Sequence, residues 1–109
     1  PRNIEMPKPP APIDDLTSIA RGEDLYHWEC HMCHGAGAVG GGVLADLRYM
    51  SEETHENFNA ITLGGLYAEK GMVGFASRLS EQDAKDIHAY LIQRANETYL
   101  FETLNNSIN

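Results

Sequence analysis

The sequence has no apolar run long enough to span a membrane, no apolar leader segment and no starting methionine. Basic residues are also scarce, because eight Lys and Arg stand against sixteen Asp and Glu and give a net charge of −8. The lack of a membrane-spanning run argues against membrane insertion. The scarcity of basic residues argues against nucleic acid and anionic membrane surfaces as partners. A length of 109 residues allows one small domain with a thin core.

Cysteine occurs only twice, as Cys30 and Cys33. A zinc ribbon or finger needs a second ligand pair, and the chain offers downstream only His55 and His88, which are isolated from each other in the sequence. A thioredoxin-like motif needs a preceding strand, whereas the residues before Cys30 have a helical pattern. With His34 directly after Cys33, the pattern is C-x-x-C-H, which is typical of covalent haem attachment.

The spacing of this motif suits the chemistry of a porphyrin. Two thiols three positions apart reach the two vinyl groups of one haem, and the following imidazole binds the iron. The sequence therefore predicts one haem c, attached through Cys30 and Cys33 with His34 as an axial ligand. A plain disulfide or a thiol–disulfide protein without haem is the alternative. Because the core is thin, we also expect the haem-free protein to fold poorly.

Composition divides the chain into three parts. Residues 1–13 contain every proline of the chain and are predicted to form an extended linker or an amino-terminal extension. Residues 14–97 are predicted to form the haem domain. Residues 98–109 are an ambiguous carboxy-terminal extension, which we expect to pack against the domain, with docking on a partner as the alternative. Its apolar residues are Tyr99, Leu100, Phe101, Leu104 and Ile108. The prolines are Pro1, Pro7, Pro9, Pro10 and Pro12.

Capping signals and apolar periodicity predict three helices, and no segment has a convincing strand pattern. The helices are expected at 17–29, 52–63 and 81–97. Ser51 and Ser80 are predicted to cap the second and third helices, and Gly64 and Gly65 follow the second. The fold class is therefore all-α, with three main helices around one covalently attached haem.

The C-x-x-C-H motif after a first helix, a methionine in a glycine-flanked loop and an aromatic residue in each terminal helix resemble the class I cytochrome c family. Residues 18–97 carry this resemblance. The segments 41–50, 63–65 and 70–76 are most similar to the carboxy-terminal cytochrome domain of quinohaemoprotein alcohol dehydrogenases, in which a linker joins the module to a pyrroloquinoline-quinone propeller. The resemblance implies a close crossing of the first and last helices at Gly22, Tyr26 and Tyr90.

The resemblance also implies a ligand set. Met72 is the expected distal ligand opposite His34, with Met50 as the next candidate, and a thioether ligand raises the reduction potential. Arg48 is the expected partner of a haem propionate. The other expected haem contacts are Leu44, Leu47, Tyr49 and Phe75.

The predicted function is electron transfer by a single His/Met-ligated haem. The chain is expected to be a free periplasmic cytochrome or the relay domain of a dehydrogenase that uses pyrroloquinoline quinone, and in neither case an enzyme on its own. Export implies a signal peptide that has been removed or an upstream domain. Expected partners are a dehydrogenase as donor and a second cytochrome, a cupredoxin or an oxidase as acceptor. The alternative is a haem protein with an open distal site for ligand sensing or peroxide chemistry.

Overall fold

The computed structural model describes residues 6–30, 46–68, 72 and 74–108. These residues contain four α-helices, α1 (Leu16–Glu29), α2 (Glu52–Glu56), α3 (Phe58–Thr62) and α4 (Glu81–Ile108), and a 3-10 helix (Leu47–Tyr49) between α1 and α2. No strand occurs within the described residues. The helical content confirms the all-α prediction.

Each main helix begins at a short polar side chain that accepts a hydrogen bond from the first turn. Asp15 accepts from the backbone N–H of Ser18 at 3.0 Å, and Ser51 accepts from that of Thr54 at 3.1 Å. At the start of α4, Ser80 and Asp83 cap each other reciprocally, at 3.0 and 2.9 Å. These contacts satisfy amide groups that have no partner inside the helix, and they confirm the predicted helix starts at Ser51 and Ser80.

Helices α1 and α4 cross at Gly22 with almost no space between their backbones. A Cβ atom on Gly22 would lie 1.8 Å from the carbonyl oxygen of Asp86, so only glycine fits. One turn further along α1, the buried ring of Tyr26 packs against Tyr90 with 5.5 Å between ring centroids. The predicted crossing at Gly22, Tyr26 and Tyr90 is therefore confirmed.

A buried carboxylate locks this crossing. Asp86 is only 3% exposed and accepts from the hydroxyl of Ser18 at 2.5 Å, from Arg21 at 2.6 Å and from Gln82 at 2.9 Å. Burial would raise the pKa of Asp86, but these three hydrogen bonds outweigh it and lower the pKa. The carboxylate thus stays ionised and ties α1 to the first turns of α4.

Two of the predicted helix boundaries are wrong. The expected helix over 52–63 is broken at Asn57, whose backbone (φ −96°, ψ 12°) leaves the helical region and separates α2 from α3. The last helix does not end at Glu97 but continues to Ile108. Asparagine and threonine have only weak helix-breaking preferences, and the contacts that α4 makes to the 3-10 helix outweigh them.

The proline-rich segment lies against the domain over part of its length. Pro9 is buried, and the side-chain amide of Asn96 on α4 donates to the carbonyl oxygen of Pro10 at 2.9 Å. Residues 6–13 have no regular secondary structure. The segment therefore reaches α4 near the middle of that helix.

Candidate functional site

An apolar cavity of about 290 Å³ lies between α1, the 3-10 helix, α3 and α4. Its helical wall comes from Phe58, Ile61, Thr62, Ile87 and Leu91, and its loop wall from Cys30, Leu47, Tyr49, Met50, Tyr67 and Met72. Asp46, Ser51 and Thr54 are the other residues that line it. Ile87 and Leu91 are at most 1% exposed, so this wall belongs to the packed core of the domain.

Backbone hydrogen bonds fix the described residues of the loop that carries Met72, and one of these bonds reaches α3. The N–H of Met72 donates to the carbonyl of Tyr67 at 3.2 Å, and the N–H of Phe75 donates to that of Thr62 at 2.7 Å. Gly65 adopts φ +71° at the turn after α3, a left-handed conformation that favours glycine. These contacts hold Met72, which is half-buried, at the cavity wall.

A polar groove lies on the other side of Tyr49, which lines both the groove and the cavity. Arg48 forms a two-point ion pair with Asp46, at 3.0 Å from Nε and 2.6 Å from Nη2. This pair raises the pKa of Arg48 against the opposing effect of burial, so the guanidinium stays charged. The hydroxyl of Tyr49 donates to Glu102 at 3.2 Å. Burial, and then the charge of Glu102, raise the pKa of Tyr49.

Two histidines that are far apart in the sequence, His55 and His88, pack together beside Phe58. The Nδ1 of His55 and the Nε2 of His88 lie 2.9 Å apart, and the ring of His88 stacks on Phe58 with 4.3 Å between centroids. Burial, followed by the proximity of His55, lowers the pKa of His88 to about 4. Burial also lowers the pKa of His55. Both rings are therefore neutral at pH 7.

These histidines do not form a metal centre. Over the described ranges, no three His, Cys, Asp or Glu side chains come together in a way that could hold an ion. Nor does any helix within those ranges have the length and apolar character needed to cross a bilayer.

The structure brings together part of the predicted site. Cys30, Leu47, Tyr49 and Met72 all line the apolar cavity. Arg48 lines the polar groove beside Tyr49 and not the cavity itself. Phe75 is half-buried and packs against the hydrophobic core rather than lining the cavity. Cys33, His34 and Leu44 lie outside the described residues.

The sequence prediction missed several residues of the site. Tyr67 and Thr62 line the cavity and were not predicted, whereas Met50, which also lines it, was already the second candidate for distal ligand. Ile61, Ile87 and Leu91 carry a signal that was available in the sequence, because they are apolar residues in predicted helices. Nothing in the sequence pattern distinguished the cavity wall from the rest of the core.

The residues at this cavity fit a haem group. A porphyrin is a large apolar ring with a polar edge, and the cavity offers apolar walls with polar groups of Asp46, Ser51 and Thr54 at its lining. Cys30 supplies a thiol and Met72 a thioether, the two sulfur groups that thioether attachment and axial ligation require. A helical domain whose apolar cavity is lined by the first cysteine of a C-x-x-C-H motif is typical of haem-binding proteins of the cytochrome c class.

Comparison with known proteins identifies the family. The model of the family described as cytochrome c oxidase, cbb3-type, subunit III matches residues 17–91. The chain belongs to this cytochrome c family. Haem c is accordingly its cofactor and electron transfer its function.

The curated relatives are dehydrogenases. The quinohemoprotein alcohol dehydrogenase ADH-IIG of Pseudomonas putida is 43% identical over 87% of this chain and 13% of its own length. ADH IIB of the same organism is 32% identical over 92% of this chain and 15% of its own length. The dehydrogenase subunit of alcohol dehydrogenase (quinone) of Komagataeibacter europaeus is 39% identical over 84% of this chain and 12% of its own length.

A solved structure shows the same fold. The quinohemoprotein alcohol dehydrogenase ADHIIG from Pseudomonas putida HK5 superposes with a TM-score of 0.84 at 41% identity, over 92% of this chain and 14% of that chain. The chain thus spans between 12% and 15% of the lengths of these three curated relatives.

The predicted class I cytochrome c fold, its similarity to quinohaemoprotein dehydrogenases and its haem c cofactor are confirmed. Attachment through Cys30 and Cys33 and ligation by His34 and Met72 stay predictions.

Proposed function

We propose that the chain is the electron-relay domain of a periplasmic alcohol dehydrogenase that uses pyrroloquinoline quinone. The observation that carries this proposal is the shared cavity wall of Cys30 and Met72, because it joins the start of the attachment motif to the candidate distal ligand. The relatives support the donor half of the proposal, since their names describe quinohemoprotein alcohol dehydrogenases.

In this proposal Cys30 and Cys33 attach the haem and His34 and Met72 bind its iron. Haem c supplies a one-electron couple between ferric and ferrous iron. The backbone contact from Met72 to Tyr67 fixes the main chain that carries the thioether. Ile61, Ile87 and Leu91 exclude water from the wall, and such burial is one of the factors that set the reduction potential of a haem.

The polar edge of the site is assigned to Arg48 and Tyr49. The guanidinium of Arg48 lies 5.5 Å from the centre of the Tyr49 ring and is held by Asp46. A propionate at this edge would share the positive charge of Arg48, which supports the predicted role of this residue. Leu44, Leu47 and Phe75 are the further residues proposed to surround the porphyrin.

The number of electrons released by alcohol oxidation determines how many transfers the domain would carry out for each alcohol. Oxidation of one alcohol to an aldehyde releases two electrons and two protons, so two successive one-electron transfers through the domain are needed for each alcohol. The donor in this proposal is the quinone cofactor of the dehydrogenase. The acceptor is a second cytochrome, a cupredoxin or an oxidase, and residues 1–13 form the tether between the domain and the dehydrogenase body.

Two variants of the haem-loaded chain test the ligand assignment. Ferric haem with a methionine ligand has a weak absorption band at the red end of the visible spectrum, and we expect Met72→Ala to abolish it. Met50→Ala is the matched control, since it removes another methionine from the same cavity, and it should keep the band. An intact mass about 0.6 kDa above the polypeptide would establish one covalent haem.

The opposite results would favour the other function. If the unmodified protein lacks the band and its reduced form binds carbon monoxide rapidly, then the distal site is open and ligand sensing or peroxide chemistry replaces electron transfer. If Met50→Ala removes the band and Met72→Ala does not, the ligand is Met50 and the assignment of Met72 is wrong.

A further inference from the structure

The end of helix α4 has its polar and apolar faces reversed. Within this carboxy-terminal extension, over residues 98–105, the buried side chains are Thr98 and Glu102, which are 7% and 5% exposed. The exposed large apolar side chains of this stretch are Leu100, Phe101 and Leu104, at 60%, 59% and 53%. Our expectation that these apolar residues pack against their own domain is therefore wrong. They form a short stripe, because positions 100, 101 and 104 share one face of a helix.

Specific polar contacts cause this reversal. The carboxylate of Glu102 accepts from the hydroxyl of Tyr49 at 3.2 Å, and the hydroxyl of Thr98 lies 3.4 Å from Nη1 of Arg48. Thr98 and Glu102 are one turn apart and therefore point to the same side. The 3-10 helix thus fixes the rotation of α4 and leaves the apolar stripe exposed, with Phe101 at the edge of the polar groove.

The stripe is too small to hold a separate partner. Three side chains that are each a little more than half exposed offer roughly 300 Å² of surface. A stable dimer of independent proteins buries about 800 Å² on each partner. A patch of this size suits a partner that is already held nearby, because a short tether gives an effective concentration of about a millimolar.

The proposed tether reaches the domain beside the stripe. Asn96 binds the carbonyl oxygen of Pro10 and lies one turn before Leu100 on the same side of α4. At about 1.5 Å per residue, the whole stripe lies within about 12 Å of Asn96 along the helix axis. A dehydrogenase body attached through residues 1–13 would therefore be tethered at this face, within about 30 Å of Pro10, which is the reach of nine extended residues.

We infer that Leu100, Phe101 and Leu104 dock the domain on the dehydrogenase body of the same polypeptide, in an apolar depression of that body. This inference rests on the proposed function. It assigns the stripe to the body and not to a second copy of the chain or to the electron acceptor. Docking through the stripe would hold the domain in one orientation to its donor, so that transfer does not depend on a random encounter at the end of a flexible tether.

The experiment uses ADH-IIG of Pseudomonas putida with its matching segment replaced by this chain. Haem reduction after the addition of alcohol is followed by stopped-flow absorbance. We expect Leu100→Ser, Phe101→Ser and Leu104→Ser together to slow haem reduction by about tenfold, as for a docking equilibrium that loses an anchor residue. As single variants, Phe101→Leu, which keeps the apolar contact, should slow haem reduction much less than Phe101→Ser.

Leu16→Ser is the matched control. Leu16 is 78% exposed and lies at the start of α1, which packs against the opposite end of α4 near Asp86. Its rate should stay close to that of the unmodified fusion. The haem spectrum and the thermal melt of the triple variant should also be unchanged, which separates docking from damage to the haem site.

Each possible outcome decides the inference. An unchanged rate in the triple variant, in a fusion that does reduce its haem, overturns the docking surface and leaves the proposed function intact. A fusion that never reduces its haem counts against the proposed function and against the inference with it. For the isolated chain we expect a monomer by light scattering, whereas a dimer that the triple variant abolishes would make the occupant a second copy.

Discussion

The buried histidine pair makes the stability of the protein depend on pH. In the unfolded chain His88 has an ordinary pKa of 6.5, and burial beside His55 lowers the pKa to about 4 in the folded protein. The unfolded state therefore binds more protons between these values, so stability falls as the pH falls from about 6.5 to about 4 and does not fall further on this account. One pKa unit corresponds to about 1.4 kcal/mol, which gives a loss of about 3 kcal/mol in total and about 2 kcal/mol at pH 5.

The variant His88→Gln isolates this effect, because a glutamine amide keeps a hydrogen-bonding partner for His55 and does not titrate. Urea unfolding of the haem-loaded protein, followed by circular dichroism across pH 4 to 7, should show a smaller loss of stability for the variant than for the unmodified protein. His27→Gln is the control, since His27 belongs to a different cluster, where it contacts the carbonyl of Glu23 and lies beside the ring of Tyr90. Equal pH dependence in the unmodified protein and His88→Gln would refute the reasoning.

Two further substitutions test the helix crossing and the polar groove. Gly22→Ala places a methyl group 1.8 Å from the carbonyl oxygen of Asp86, so urea unfolding should show a loss of about 3 kcal/mol or more. A cost below about 1 kcal/mol would mean that the helices separate easily. Glu102→Gln removes a negative charge behind Tyr49 and should raise the haem midpoint potential by tens of millivolts, on the order expected for one charge at about 10 Å. Glu97→Gln, the exposed control in the same groove, should change it less, and equal shifts would contradict the role given to Glu102.

The parts of the fold that depend on neighbouring residues were predictable from the sequence. Ser51 and Ser80 cap the helices that follow them because capping requires only the next three residues. The crossing at Gly22 was predictable for another reason, since it came from a family resemblance and not from the local pattern. Met72 was selected from the sequence because of its glycine-flanked loop and the attachment motif, and it lines the cavity.

The features that the sequence did not predict depend on contacts between distant residues. Helix α4 continues past Glu97 because Thr98 and Glu102 meet the 3-10 helix about 50 residues earlier in the chain. The pairing of His55 with His88 also joins residues that are far apart in the sequence, so no local pattern predicts it. The break at Asn57 is different, because a single backbone conformation that costs little energy divides one predicted helix into two, and propensities do not locate such a break.

Helix α4 connects every part of the proposed mechanism. Its first turns bind α1 through Asp86, Leu91 lines the cavity, and Asn96 holds the proline-rich segment. The stripe that begins at Leu100 lies in the same uninterrupted helix. An α-helix without a break moves as one body, so a partner docked on the stripe is held at a fixed distance from the cavity wall. The orientation of the stripe depends in turn on Glu102, because its contact to Tyr49 sets the rotation of the extension. The residue that turns the apolar side chains outward is therefore also the charged group beside the haem cavity.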